Sequence, residues 1–138
     1  MVAVDGDNSF FVNGPRGRYE DLVTKDLIAH VQATYRVLPD RAARALLGVS
    51  MGGYAALRIA FSHPELFAAV ATHSAMLLER MPSAEQGAGR WHMRAFHAVF
   101  GNPIDESLWT ANDPMAWARR VDPPSSPVLY MDCGAQDR

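Results

Sequence analysis

The chain has 138 residues, 13 Lys+Arg against 15 Asp+Glu, 49% hydrophobic and 20% charged residues; this is the balance of one soluble globular domain and excludes a disordered chain. Its longest apolar runs, such as Phe67 to Thr72, fall far short of the roughly 18 residues that a membrane-spanning helix needs. A formal net charge of −2 with no basic stripe argues against nucleic acid as a partner, and the lone Cys133 excludes an intrachain disulfide and a multi-cysteine metal site.

Val2 to Val4 is a short apolar run that meets Asp5-Gly6-Asp7-Asn8, a turn-forming cluster, and reads as a strand end followed by a loop. This start carries neither the basic nor the long apolar region of a signal peptide. One cysteine fits either side of a membrane, so the compartment stays open between cytoplasm and secretion. From Tyr19 to Tyr35, Val23, Leu27, Ile28, Val31 and Tyr35 recur at spacings of three and four, which predicts a helix with one apolar face. Pro39-Asp40 closes it. Ala43 to Val49 then predicts a strand, Gly48 to Gly53 a tight turn, and Tyr54 to Ser62 a helix.

Phe67 to Thr72 predicts a second buried strand, followed by a loop rich in Pro82, Ser83, Gly87 and Gly89. Trp91 to Phe100 has helical spacing, with Phe96, Val99 and Phe100 on one side. Asn112 or Asp113 can cap a helix that starts at Pro114, and Pro123, Pro124 and Pro127 stop it before a last strand from Val128 to Asp132. Short strands alternating with helices predict an α/β fold, a parallel sheet with helices on its faces.

Gly48-Val49-Ser50-Met51-Gly52, between a predicted strand and a predicted helix, has the context of a nucleophile elbow. The glycines are expected two residues either side of Ser50 because a strand turning sharply into a helix leaves no room there for Cβ atoms. Ser50 would stand at the carboxyl end of the sheet. The backbone N–H of Met51, at the start of the helix, would face a developing oxyanion. On this scaffold the acid and then the histidine of a triad follow the serine. Asp137, in the loop beyond the last strand, is the expected acid; its rival, Asp132 at the strand end, is expected to cap backbone N–H groups.

All five histidines, His30, His63, His73, His92 and His97, precede Asp137. His30 reads as an exposed helix residue and His63 as a helix-end residue favoured by the dipole. His73 is the histidine that can share the sheet edge with Ser50, although chain order assigns it to a supporting loop position. His92 and His97 lie in an amphipathic segment without zinc-ligand spacing, and no metal or organic cofactor is implied. Phe10, Phe11, Trp91, Trp109 and Trp117 are expected in the core before an acyl or aromatic pocket.

Gly48-Val49-Ser50-Met51-Gly52-Gly53-Tyr54-Ala55-Ala56-Leu57, with His63-Pro64-Glu65-Leu66-Phe67 after it, resembles the putative-esterase family of α/β-hydrolases, which includes S-formylglutathione hydrolases, feruloyl esterases, enterochelin esterases and mycolyltransferases. Asp5 to Phe11, Tyr19 to Arg36 and Asp132 to Asp137 look like the same family's flanking loop, helix and acid loop. The resemblance implies an α/β-hydrolase-type, mostly parallel sheet with flanking helices, present over residues 1–138 as a single partial domain. The family's early strands, with the loop giving a second oxyanion donor, and its last strand with the histidine loop have no counterpart. It makes Ser50 the nucleophile, the Met51 N–H an oxyanion donor and Asp137 the acid.

The implied function is a serine carboxylic-ester hydrolase acting through an acyl-enzyme on small ester or thioester substrates, with weak turnover expected of the isolated chain because no histidine follows Asp137. The alternative is a non-catalytic hydrolase-like fragment that serves as a binding or assembly module. Acyl transfer, in which an alcohol intercepts the acyl-enzyme, ranks below hydrolysis. In the family's sheet a missing strand separates the strand ending at Asp5 from the one before Ser50. Val2 to Val4 should therefore hang free or pair wrongly, and the apolar edge should favour homo-oligomers or aggregation. Hydrogen exchange reads this directly: fast exchange is expected at Val2 to Val4, and strong protection in a monomer contradicts it.

Overall fold

Three five-residue segments rich in Val, Leu and Ala make the central sheet of the computed structural model, which describes residues 1–81 and 91–136. Strands β3 (Ala45–Val49), β4 (Ala69–His73) and β5 (Val128–Asp132) lie in the order β3-β4-β5, all parallel. Parallel neighbours need a crossover, and helix α3 (Met51–Ser62) supplies the one from β3 to β4. The α/β class and the mostly parallel sheet agree with the sequence reading.

Ahead of the sheet, β1 (Asn13–Gly14) and β2 (Gly17–Arg18) form a minimal antiparallel hairpin. The chain then enters α1 (Tyr19–Asp21), a widened π-helical stretch over Leu22–Leu27, and α2 (Ile28–Thr34). Together these make the predicted long helix. Tyr35 does not belong to its apolar face: the helix ends at Thr34, Tyr35 is extended at φ −123° and ψ 152°, and its side chain is exposed.

Helix α4 (Trp91–Phe100) and strand β5 have the predicted bounds. The loop expected through Pro82, Ser83, Gly87 and Gly89 lies outside the described residues. Helix α5 (Glu106–Asn112) was not anticipated from the sequence; Asp105 caps it by accepting from the Leu108 N–H at 2.9 Å. Helix α6 (Pro114–Ala118) starts as expected, with Asp113 accepting from Met115 N–H at 2.9 Å and Pro114 at its first position.

Several boundaries differ from expectation: β3 begins at Ala45 rather than Ala43, which lies in a 3-10 turn, and α3 begins at Met51 rather than Tyr54, so the turn narrows to Ser50. Val2 to Val4 forms no strand; Val4 instead packs partly buried beside Val23, Ile59 and Phe67. Phe67 precedes β4 rather than opening it, because its ring joins that same cluster.

Helix α3 is buried from Gly53 to Phe61 and is the centre of the packing. On its sheet side Ala56, Leu57, Ala60 and Phe61 meet Val70 and Leu46. Toward the other helices Tyr54 joins Phe10, Phe96, Phe100 and Trp109 in a nest of aromatic rings 4.4 to 6.4 Å apart. Among the described residues the opposite face of the sheet is largely exposed. Alternation along the strands sends Leu47 and Val49 of β3, and Val128 and Tyr130 of β5, to that side, where they are 73%, 55%, 73% and 63% exposed.

One charged cluster is built into this apolar packing. Arg58, fully buried, donates from Nη1 to Glu20 Oε2 at 2.8 Å and from Nη2 to the Phe11 carbonyl at 2.5 Å. The other Glu20 oxygen meets His63 Nε2 at 2.7 Å. Burial alone would raise the Glu20 pKa, but the His63 hydrogen bond and the Arg58 charge override it and hold the carboxyl at about 2. The His63 pKa is raised, first by its hydrogen bond to Glu20 and against its own burial.

These shifts fix a stability window by linkage. The Glu20 contribution is present above its ordinary value of 4.5 and is lost as pH falls toward 2. The His63 contribution is present below its ordinary value of 6.5 and is lost as pH rises through the raised folded value. Melting temperature should therefore peak between about pH 4.5 and 6.5, and His63→Gln should flatten the alkaline fall; an unaltered alkaline limb contradicts this account. Removing one partner of a buried ion pair costs about 3–5 kcal/mol, and Arg58→Met is expected to lose that much in urea unfolding.

Candidate active site

Strand β3 runs directly into helix α3, and the single residue between them is Ser50. Its φ of 52° and ψ of −115° lie where an L-residue is strained, a conformation that costs about 1–3 kcal/mol and persists only when its surroundings enforce it. They do so through three hydrogen bonds. The Ser50 N–H donates to the His73 carbonyl at 3.1 Å, and the Ser50 carbonyl accepts from Tyr54 N–H at 3.1 Å and from Met76 N–H at 3.0 Å. Ser50 is thereby bound on one side to its own helix and on the other to the end of β4.

The glycines that permit this turn are not the pair expected. A Cβ on Gly48 would sit 2.1 Å from the Gly52 carbonyl oxygen, and one on Gly53 would sit 2.8 Å from the Ala75 Cβ. Gly52 has nothing within 4 Å of such an atom. Crowding therefore explains Gly48 and Gly53, whereas Gly52 contributes the carbonyl against which Gly48 packs.

Ser50 is exposed at the carboxyl end of the sheet, as its position predicts. The Met51 N–H is the first of α3 and has no acceptor inside the helix; it shares the partial positive charge of a 12-residue helix. A serine oxygen with a helix N-terminus and its first N–H beside it suits attack on a carbonyl and stabilisation of the resulting oxyanion.

The parallel register sets Val49, His73 and Asp132 side by side as the last residues of the three strands. His73 Nδ1 lies 3.1 Å from Asp132 Oδ1, and the Ser74 N–H donates to the Asp132 carbonyl at 2.8 Å. The Asp132 carboxylate thus meets an imidazole instead of capping backbone, a pairing the sequence reading missed. A signal for it exists: both apolar runs, Ala69 to Thr72 and Val128 to Met131, end in a polar residue, and parallel strands align such ends. Asp137, the expected acid, lies outside the described residues.

The other described histidines stand apart from this cluster. His30 is exposed on α2 with its ring 6.5 Å from that of Tyr35. His63, at the far end of α3, is held by Glu20 and lies 3.5 Å from Glu65. His97 belongs to α4, and His92 lies there too with its side chain outside the described residues. Among the described residues no group of three or more His, Cys, Asp or Glu could hold a metal ion.

Phe10 and Trp109 are buried in the aromatic nest, Phe11 packs near Val23 and Ile59, and Trp117 packs near Ala56 and Phe61, as the core reading expected; the Trp91 side chain lies outside the described residues. An apolar groove of ≈ 440 Å³ lies between α2 and β3, lined by Leu27, Val31, Leu38, Ala45, Leu46 and Phe67. It opens at the amino end of β3, about 13 Å of strand away from Ser50, and is not part of the site. No helix of the described residues is long and apolar enough to cross a membrane.

Residues 12–138 match the family model described as Putative esterase. An S-formylglutathione hydrolase of Paracoccus denitrificans is 30% identical over 99 residues, which cover 72% of this chain and 32% of that protein. Among solved structures, the fluorophosphonate-binding serine hydrolase F of Staphylococcus aureus superposes with a TM-score of 0.75 at 24% identity, over 96% of this chain and 51% of its own. The S-formylglutathione hydrolase of Agrobacterium tumefaciens superposes with a TM-score of 0.69 at 22% identity, over 92% of this chain and 43% of its own. The chain thus spans about a third of the curated relative and about half of the solved ones, all within the α/β-hydrolase architecture expected from the sequence.

The glycine geometry separates two substitutions that the sequence motif treats alike. Gly48→Ala must push backbone from backbone and should cost about 3 kcal/mol or yield insoluble protein, at the upper end of overpacking. Gly52→Ala has open space and should change stability by less than about 1 kcal/mol. Urea unfolding of the two variants checks the contrast, and equal losses would falsify it.

Proposed function

Because the chain belongs to the putative-esterase family, we propose that it forms the nucleophile-bearing part of a serine hydrolase acting on small carboxylic esters or thioesters. Ser50 Oγ attacks the acyl carbonyl, the Met51 N–H and the α3 N-terminus receive the oxyanion, and the alcohol or thiol departs to leave an acyl-enzyme. Water then attacks the acyl carbon and releases the acid. Asp137 serves as the acid that orients the general base.

The observation that carries this reading is the strained, exposed Ser50 between β3 and α3, with the Met51 N–H, which has no acceptor inside the helix, beside it. A structural serine gains nothing from that conformation, whereas a nucleophile gains exposure and an adjacent donor. The family match and the S-formylglutathione hydrolase relative support ester or thioester chemistry. A relative whose description includes fluorophosphonate binding supplies the choice of probe.

Labelling by a fluorophosphonate should occur at Ser50, with mass spectrometry placing the adduct on the peptide that contains it. Ser50→Ala should reduce labelling by roughly a hundredfold or more, since loss of the nucleophile removes the covalent step. Equal labelling of the two proteins would sink Ser50 as the nucleophile.

A further inference from the structure

We propose that residues 74–78, the segment leaving β4, form a strap that holds Ser50 in its attacking conformation, with Ser74 as the positioning residue; this rests on the reading of Ser50 as the nucleophile. Two of the three hydrogen bonds that fix Ser50 come from this end of β4. The Ser50 N–H donates to the His73 carbonyl at 3.1 Å, and the Ser50 carbonyl accepts from Met76 N–H at 3.0 Å. Only the bond from Tyr54 N–H belongs to the helix that Ser50 itself begins. The strained turn is thus enforced largely from the neighbouring strand.

The backbone of Ser74 explains how one short segment makes both contacts. Val49 pairs with His73 in the parallel register, so Ser74 follows its strand beside Ser50. Its φ of 46° nearly repeats the 52° of Ser50. The Ser74 N–H donates to the Asp132 carbonyl at 2.8 Å, which ties the turn to β5 as well. The left-handed turn then sends the chain back toward β3, and two residues later the Met76 N–H meets the Ser50 carbonyl.

Packing seats the strap against the start of α3. Ala75 and Leu77 pack against the cluster of Ala56, Leu57 and Phe61, whereas Met76 and Leu78 pack against that of Tyr54, Phe96 and Trp109. Successive side chains therefore enter two different clusters, both built on α3. Ala75 also lies so close to the helix that a Cβ on Gly53 would sit 2.8 Å from its own Cβ. Backbone strain persists only where the surroundings over-determine it. With the strap loosened, Ser50 can relax toward an ordinary φ, and its Oγ loses its aim beside the Met51 N–H. Such a change lowers the rate of bond formation and leaves binding of the acyl compound as it was.

The test is fluorophosphonate labelling of the 138-residue chain carrying Ser74→Gly, Ser74→Ala or Ser74→Val, resolved into a maximal rate and a half-saturating probe concentration. Ser50→Ala and amide hydrogen exchange accompany it. A left-handed φ is open to glycine, less so to alanine, and is an outlier for valine. Glycine and alanine both lack the hydroxyl, so a difference between them reads the backbone alone. The maximal rate is expected to fall from glycine through alanine to valine, the last about tenfold to a hundredfold below the first, at one half-saturating concentration. The Met76 N–H should be protected in the parent chain and exchange fast in Ser74→Val, while the His63 N–H, bonded to the Ile59 carbonyl at the far end of α3, stays protected. Equal maximal rates in the three variants, a loss confined to the half-saturating concentration, or an unprotected Met76 N–H in the parent each overturn the strap and leave the nucleophile in place. Labelling that survives Ser50→Ala, or its absence from the parent, overturns the reading of Ser50 and this inference with it. Should Ser74→Val fail to fold by circular dichroism, the glycine and alanine variants decide, and equal rates in those two count against the proposal.

Discussion

The contact between Gly48 and the Gly52 carbonyl is the constraint on which the rest of the structure depends. With a Cβ there lying 2.1 Å from that oxygen, strand and helix can approach backbone to backbone only because residue 48 is glycine. That approach leaves Ser50 alone to reverse the chain, which forces its positive φ. It also sends α3 down the face of the sheet, where the helix is buried along nearly its whole length. The unbonded N–H groups of α3 are thereby delivered to the carboxyl edge of β3, beside the serine. Strain, burial and the donor at the site thus have a common origin.

A helix buried that completely must pair the charge it carries, and Arg58 shows how. Its guanidinium cannot reach water, so it binds Glu20 at the start of the long helix and the Phe11 carbonyl in the preceding loop. Two segments distant in sequence are fixed to α3 through one side chain, and His63 completes the ring from the end of the same helix. Buried charge is costly unless it is paired and hydrogen-bonded. Here the pairing sets the position of the 11–20 segment relative to the helix that carries Ser50.

What the sequence reveals and what it hides divide along a physical line. β5 and α4 were legible to the residue because each is a run of one periodicity bounded by proline or glycine. The turn at Ser50 was legible because its glycines stand between two such runs. The two-residue strands β1 and β2 carry no periodicity at all, and α5 announces itself only through the cap at Asp105. The role of Gly52 was misread because spacing cannot distinguish a glycine that needs space from one whose carbonyl fills another's. The His73 and Asp132 pairing was hidden for a different reason: it depends on which residues of two strands 59 positions apart fall in register. The polar residue that ends each run marks the pair only once the two strands are known to be neighbours.

The uncovered face of the sheet has a thermodynamic consequence. Leu47, Val49, Val128 and Tyr130 are largely hydrated in the folded chain, so unfolding adds little to their exposure. Heat capacity and denaturant slope both scale with the surface newly exposed. The 138 residues should therefore show a shallower urea transition and a flatter stability curve than a chain of equal length with both sheet faces covered. Any layer that settles on this face would steepen both, and the change in slope would measure the area it covers.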